Sequence, residues 1–422
     1  MTPGSSSECC MLREAHECSP RGGLPNFFAH LERGGNITVA YLGGSITAQS
    51  GWRVQSLAYF QEHYPQATLT EVNAAIGGTG SLLGVFRLEH DVLRYEPDLV
   101  FVEFAVNDSN TNPESVVQSM EGIVRKTWNA YALCDICFVY TLTGKLLPDL
   151  QNGKFPKITT VMETIADHYD IPSIHMGLEV ARLEKEGQLV MRAANSVMTR
   201  VSGKELDVNA HAGVDENGKI PFAPDAVHPY SDTGHKLYTQ AIIRSLPPIK
   251  AVATNPVPHA LPAPIDPNNL EQTVMAPIDQ ARMTGPWRQL DGDLMGFAKR
   301  LPCLWRGEPG ARLSFQFTGS TAMIYHLLGP DCGKLEVTVD GTVSHPLCID
   351  PYCTYHRLAI LPVANNLNSG KTHKVEIKVL ADKLDKKEIL FERNRAHFEA
   401  NPHHYTATNW YAGAIFLVGT LS

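Results

Sequence analysis

The stretch Gly43-Gly44-Ser45 has the residue types of a nucleophile turn. It closes an apolar run, Ile37 to Leu42, that predicts a buried strand. It precedes an amphipathic run, Trp52 to His63, that predicts a helix. A serine on a glycine-flanked strand-to-helix turn exposes its hydroxyl and its backbone N–H. Those groups suit attack on a carbonyl and retention of the oxyanion that forms. A tight turn that only needs small residues gives the same pattern.

Three further stretches carry compatible chemistry. Asn73-Ala74-Ala75-Ile76-Gly77-Gly78-Thr79-Gly80-Ser81 follows a second predicted strand. Its glycines let backbone N–H groups point into a site and open a helix whose N-terminus favours negative charge. A glycine-rich turn without a ligand is the plainer reading, and no lysine follows as in a nucleotide-binding loop. Ala105-Val106-Asn107-Asp108 ends a third strand, where the Asn107 amide can donate to an oxyanion without adding charge. An Asx turn before Pro113 would use the same residue. Asp225-Ala226-Val227-His228-Pro229 puts a carboxylate three residues before a histidine, close enough to fix its tautomer. A surface histidine beside an acid is the alternative. Two carboxylates that would face each other across a glycosidase cleft are not identifiable.

The elements that must position these residues alternate to about residue 250. Strands are predicted at 37–42, 68–72, 99–106, 136–142 and 171–175. Helices are predicted at 52–63, 81–94, 114–132, 157–168, 178–185 and 233–245. Such alternation predicts a parallel sheet covered on both faces, with ligands beyond the carboxyl ends of its strands. The apolar run Leu99–Val106 fits a central strand. The segment 200–224 breaks the pattern as a hairpin or flap. The proline-dense stretch Asn255–Pro264 predicts a stiff linker. After it, short alternating runs separated by turn signals such as Asp340-Gly341 predict an all-β domain, a sandwich. The boundaries are a tail at 1–23, an α/β domain at 24–250, a linker at 251–267 and a β-domain at 268–422.

The 422 residues carry a formal charge of −8, which argues against a nucleic-acid partner. No apolar stretch is long enough to span a bilayer, so no membrane partner is expected. Met1 to Gly23 lacks the apolar core of a signal peptide, so the expected location is cytoplasmic, with secretion left open should a leader have been trimmed. The nine cysteines are expected to be reduced and mostly buried. The Cys134/Cys137 pair runs into a strand, and Cys9, Cys10 and Cys18 have only His16 at suitable spacing, so no metal site is assigned.

The four stretches, in this order, resemble the SGNH hydrolases, the GDSL-like esterase superfamily. The resemblance spans Ile37 to about Leu246. It implies a flavodoxin-like three-layer α/β/α sandwich, with Ser45 as nucleophile, His228 as general base and Asp225 orienting it. The oxyanion hole it implies comprises the N–H groups of Ser45 and Gly78 and the Asn107 amide. Gly78 is chosen because it lies five residues after Asn73. Two positions depart from the family pattern, Gly44 and Ala105, and neither removes a catalytic atom. No cofactor or metal is implied. The runs Arg87–Asp91 and Phe101–Phe104 resemble a branch that acts on acylated carbohydrates, although Arg87 and Asp91 also have the spacing of an intrahelical ion pair. The β-domain resembles sugar-binding sandwiches. Trp305, His404, Tyr405 and Trp410 are its candidate substrate contacts, with core packing the competing role for its aromatics. The expected activity is removal of O-acetyl groups from an acetylated carbohydrate. The alternatives are a lysophospholipase or thioesterase, or a non-catalytic sugar-binding protein. The oligomeric state, a homo-oligomer included, is left open.

Overall fold

The structure, a computed structural model, describes residues 12–193, 212–253 and 255–422. The chain forms two compact units, Met1–Glu271 and Gln272–Ser422.

In the first unit the elements run β1 (Cys18–Ser19), α1 (Pro25–Arg33), β2 (Gly35–Gly43), α2 (Ser45–Ala48), α3 (Trp52–His63), β3 (Ala67–Asn73) and α4 (Ser81–Asp91). They continue through β4 (Leu99–Glu103), α5 (Pro113–Ala130), β5 (Asp135–Tyr140), α6 (Leu147–Gln151), α7 (Lys157–His168), β6 (Ser173–His175) and α8 (Leu178–Lys185). The last are β7 (Leu189–Arg192), β8 (Ile220–Ala223) and α9 (Gly234–Val252). The sheet order is β1-β6-β5-β4-β2-β3. All pairs are parallel except the two-residue β1 at the edge. This is the flavodoxin-like order, whose crevice opens where β2 has neighbours on both sides, β3 and β4. The central strand β4 is buried at every position, as its apolar run predicts. Tyr41, Trp52 and Phe101 pack ring on ring beneath the turn that follows β2.

Three expectations change. Strand β4 stops at Glu103, so Asn107 sits on a turn, closed by Asp108 N–H to the Phe104 carbonyl at 2.9 Å. The described part of the supposed tail is anchored: β1 pairs with β6, and Arg21 bridges Glu163 and Asp167. Cys9 and Cys10 lie outside the described residues, as do residues 200–211 of the supposed flap. Of that flap, the described end forms β8 and pairs with β7.

The proline-dense stretch is not a free spacer either. His259 stacks on Trp128 of α5, with ring centres 4.4 Å apart, and its Nε2 lies 2.7 Å from Asp135. Arg125 donates to the Pro262 carbonyl, and Glu121 accepts from the backbone N–H groups of Ile265 and Asp266. Residues 257–271 thus form a strap along α5.

The second unit is antiparallel. Its strands are β9 (Thr273–Pro277), β10 (Arg282–Thr284), β11 (Trp287–Leu290), β12 (Leu304–Gly307), β13 (Arg312–Leu328), β14 (Leu335–Val339), β15 (Thr342–Ser344), β16 (Arg357–Ala364), β17 (Thr372–Val379) and β18 (Trp410–Leu421). Two short helices, α10 (Lys386–Ile389) and α11 (Glu392–Ala400), precede β18. The long β13 runs unbroken from Arg312 to Leu328. Its first part pairs with β17 and its second with β16, while β18 runs beside both. The register shifts after Gly319, which faces Gly419 across β18. A Cβ on either glycine would overlap the facing strand's carbonyl, so only glycine permits this close approach. The result is an all-β sandwich domain, with alternating burial along β17. Among the described residues no helix is long and apolar enough to cross a membrane.

Candidate active site

Ser45 begins α2 at the carboxyl end of β2. The first turn of a helix leaves its N–H groups without intrahelical acceptors, so the Ser45 N–H is available to a ligand. The Ser45 hydroxyl lies 2.9 Å from His228 Nε2. His228 Nδ1 lies 2.7 Å from Asp225 Oδ2. The other carboxylate oxygen of Asp225 accepts the backbone N–H groups of Val227 and His228, at 3.0 and 2.8 Å. This tight turn forces Ala226 to a positive φ of 64°, a conformation that costs a non-glycine residue about 1–2 kcal/mol. The turn is held from outside by Gly144 N–H to the Ala226 carbonyl, and Ser231 donates to the Ser50 carbonyl. Burial pushes the Asp225 carboxyl up, but its bonds from His228 and the backbone outweigh this and hold it below the usual range. Asp225 therefore stays ionised through neutral pH, as an orienting carboxylate must.

The glycine-rich loop lies beside the serine because the β2–β3 ladder continues past the strands. Ala74 N–H reaches the Tyr41 carbonyl and Ile76 N–H the Gly43 carbonyl, each at 3.0 Å. A Cβ on Gly77 would lie 3.6 Å from Ser45 Cβ. Gly78 has φ +73° and faces open space. Asn107 crosses over the nucleophile turn so closely that a Cβ on Gly44 would overlap its Oδ1. The absence of a side chain at Gly44 thus leaves room for Asn107 in this packing. The structure brings Ser45, His228, Asp225 and Asn107 together at one crevice, with Gly77 beside the serine and Gly78 next along the same loop.

Two buried carboxylates lie behind this crevice. Glu103, at the end of β4, accepts from Thr47 Oγ1 at 2.9 Å and Thr141 Oγ1 at 2.7 Å, and also from the Gly44 N–H. Asp108 accepts the Ser81 N–H on both oxygens at 3.2 Å, at the start of α4. Burial raises both carboxyls, Asp108 to about 6. The role of Glu103 is not legible in the sequence. Its signal was a lone acid inside an apolar strand. Arg87 forms the expected intrahelical pair with Asp91, fully buried, and it also donates to the Ala74 carbonyl of the glycine loop.

The candidate substrate contacts of the second unit divide. Trp410 is fully buried and donates to His326 Nδ1 at 3.3 Å. Tyr405 is buried against Phe398, with its hydroxyl 2.8 Å from His397 Nδ1. Both are corrected to core residues, since neither ring has a free face for a sugar. Trp305 is half-buried and His404 is exposed. The seven described cysteines are all free thiols. One group among the described residues gathers metal-type ligands: Asp331, Cys332 and His356 of the second unit. Asp331 already accepts from His356 at 2.6 Å, Tyr411 at 2.6 Å and Asn409 at 3.0 Å. Burial raises its carboxyl, but these donors win and hold it at about 2. The group is satisfied as a hydrogen-bond network without an ion.

A serine, a histidine and an aspartate stand in hydrogen-bonded line at the crevice of a flavodoxin-like sheet, a geometry that suits acyl transfer to a serine. Residues 41–237 match the GDSL-like lipase/acylhydrolase family. Among solved structures, the whole chain is similar in fold to a two-domain esterase (CEX) active on acetylated mannans. With mannopentaose bound, that structure gives a TM-score of 0.68 at 21% identity, over 94% of this chain and 96% of the other. Without it, the TM-score and identity are the same, over 95% and 97%. A weaker likeness, TM-score 0.38 at 16% identity over 51% of this chain and 96% of the other, is to a mutant of Axe2, an acetyl-xylooligosaccharide esterase from Geobacillus stearmophilus. No curated protein matches the chain at the sequence level.

Proposed function

We propose that this protein is an O-acetylesterase that removes acetyl groups from an acetylated oligo- or polysaccharide. Ser45 attacks the ester carbonyl while His228 takes its proton, and Asp225 stabilises the imidazolium. The tetrahedral oxyanion is held by the N–H groups of Ser45 and Gly78 and by the Asn107 amide. His228 then protonates the departing sugar hydroxyl, leaving an acetyl-Ser45 ester. Water activated by the same histidine releases acetate. No metal or organic cofactor enters these steps.

The observation that carries the proposal is the unbroken line Ser45–His228–Asp225, with contacts of 2.9 and 2.7 Å. An acetylated carbohydrate is supported as substrate by the two-domain architecture shared with an esterase active on acetylated mannans. The test is acetate release from acetylated mannan, acetylated xylan and acetylated single sugars, with NMR reporting the position cleaved. Release by the native protein and its loss in Ser45→Ala are expected. Full activity of Ser45→Ala would refute the mechanism. Hydrolysis of long acyl chains with no acetate release would replace the substrate by a lipid or thioester. Failure of Ser45 to react with a serine-directed phosphonate would indicate a sugar-binding protein.

A further inference from the structure

The segment Glu103–Asp108 reaches every element of the oxyanion site. At one end, the Glu103 carboxylate gathers the Gly44 N–H, the Thr47 hydroxyl and the Thr141 hydroxyl, fastening the nucleophile turn to the ends of β4 and β5. At the other, Asp108 fastens the start of α4 through the Ser81 N–H. Its Oδ1 lies where a Cβ on Gly80 would be, which draws the glycine loop tight against the segment. Between them Asn107 lies over Gly44. Among the described residues, the donors to both carboxylates are hydroxyl and backbone N–H groups, and no salt bridge joins either to a lysine or arginine.

A buried carboxylate held by neutral donors is costly, and burying hydrocarbon there would cost less. Its distinctive property is acceptor capacity. Two oxygens can take several N–H and O–H groups from different chain segments at once. Here those segments are the ones that carry the three candidate donors.

We infer that Glu103 and Asp108 are positioning residues, which set the spacing of the Ser45 N–H, the Gly78 N–H and the Asn107 amide by pinning two glycine-rich turns to one strand end. This rests on the assignment of Ser45 and Asn107 in the proposed function. What positioning requires is the acceptor oxygens, and the charge is incidental to it. The conservative amides, which keep one acceptor oxygen and place an amide against a hydroxyl, therefore restore most of what apolar replacements remove.

The experiment uses the full chain and 4-nitrophenyl acetate. Glu103→Met and Asp108→Ala are expected to lower kcat about 10- to 100-fold, with KM within about 2-fold, since the donors matter only as the oxyanion forms. Glu103→Gln and Asp108→Asn are expected to recover most of that loss. In an Asn107→Ala background, Asp108→Ala is expected to lower kcat by a smaller factor than it does alone, because one of the donors it positions is gone. Should Glu103→Met fail to fold, Thr47→Val removes one bond to the same carboxylate at near-constant volume and is expected to lower kcat several-fold. Native kcat in Glu103→Met or in Asp108→Ala would overturn the inference, as would a fully multiplicative effect with Asn107→Ala or a loss confined to KM. Phosphonate labelling keeps the two readings apart. Labelling that Ser45→Ala does not abolish refutes the nucleophile assignment, whereas Ser45-dependent labelling with native kcat in both apolar variants refutes the positioning role alone.

Discussion

Asp108→Asn is expected to make the catalytic unit more stable at neutral pH. The Asp108 carboxyl is 3% exposed, and burial raises it to about 6 from an ordinary 3.8. In the unfolded chain it ionises near 3.8, while in the folded chain it keeps its proton to about 6. Between these values the folded state binds more protons, so stability falls as pH rises through that window. Above it the ionised group costs the fold about 3 kcal/mol, from a difference of about two pH units at 1.36 kcal/mol each. Asparagine has no charge to bury and keeps an acceptor for the Ser81 N–H. Its weaker bonding returns about 1 kcal/mol of the gain, so a net gain of about 1–2 kcal/mol is expected above pH 7. That is a rise of about 3–6 °C in the melting midpoint of a unit this size. Calorimetry of native and variant protein at pH 4.5, 6 and 7.5 measures it. The gap between them should be near zero or reversed at pH 4.5 and widest at pH 7.5. A variant less stable than native at pH 7.5, or a gap independent of pH, would refute the reasoning.

Gly44→Ala puts a methyl group where Asn107 Oδ1 lies and is expected to lower kcat about 100- to 1,000-fold, the scale of a lost oxyanion donor. Gly78→Ala has open space for its methyl group but a φ of +73° to maintain, so it is expected to cost about 1 kcal/mol of stability, read by urea titration, with kcat within about 10-fold of native. Asp225→Asn leaves His228 free to take the wrong tautomer and is expected to lower kcat by about 10⁴ with KM nearly unchanged. Trp410→Ala empties a fully buried site in the second unit and is expected to cost about 3–5 kcal/mol in a denaturation experiment.

The catalytic unit was legible because its signals are local and repeated. The helices at 52–63, 157–168 and 178–185 begin and end at the expected residues, and four short stretches carry the candidate residues of the crevice. Strand β4 was overextended because Phe104, Ala105 and Val106 are as apolar as the strand before them. Their burial comes from a turn packed under the site, and composition does not separate the two. The helix expected at 233–245 runs on through Pro247 and Pro248 to Val252. In the second unit, Trp410 and Tyr405 show the limit of reading aromatics by type. A ring that could lie under a sugar is chemically the ring that fills a core, and only burial separates the roles. Glu103 and Asp108 were visible as letters. Their roles depend on donors from Gly44, Thr47, Ser81 and Thr141, which lie far from them in the sequence.

The strap over α5 bears on how this protein can be divided. A shortened version ending among the prolines would keep every residue of the crevice. Cut ahead of His259, it would still strip Trp128 of its stacked imidazole, Asp135 of one partner and Glu121 of its two backbone donors. The catalytic half ends, in folding terms, at Glu271. A protease or a designer who takes the proline run for a hinge would be cutting into the enzyme's own wall.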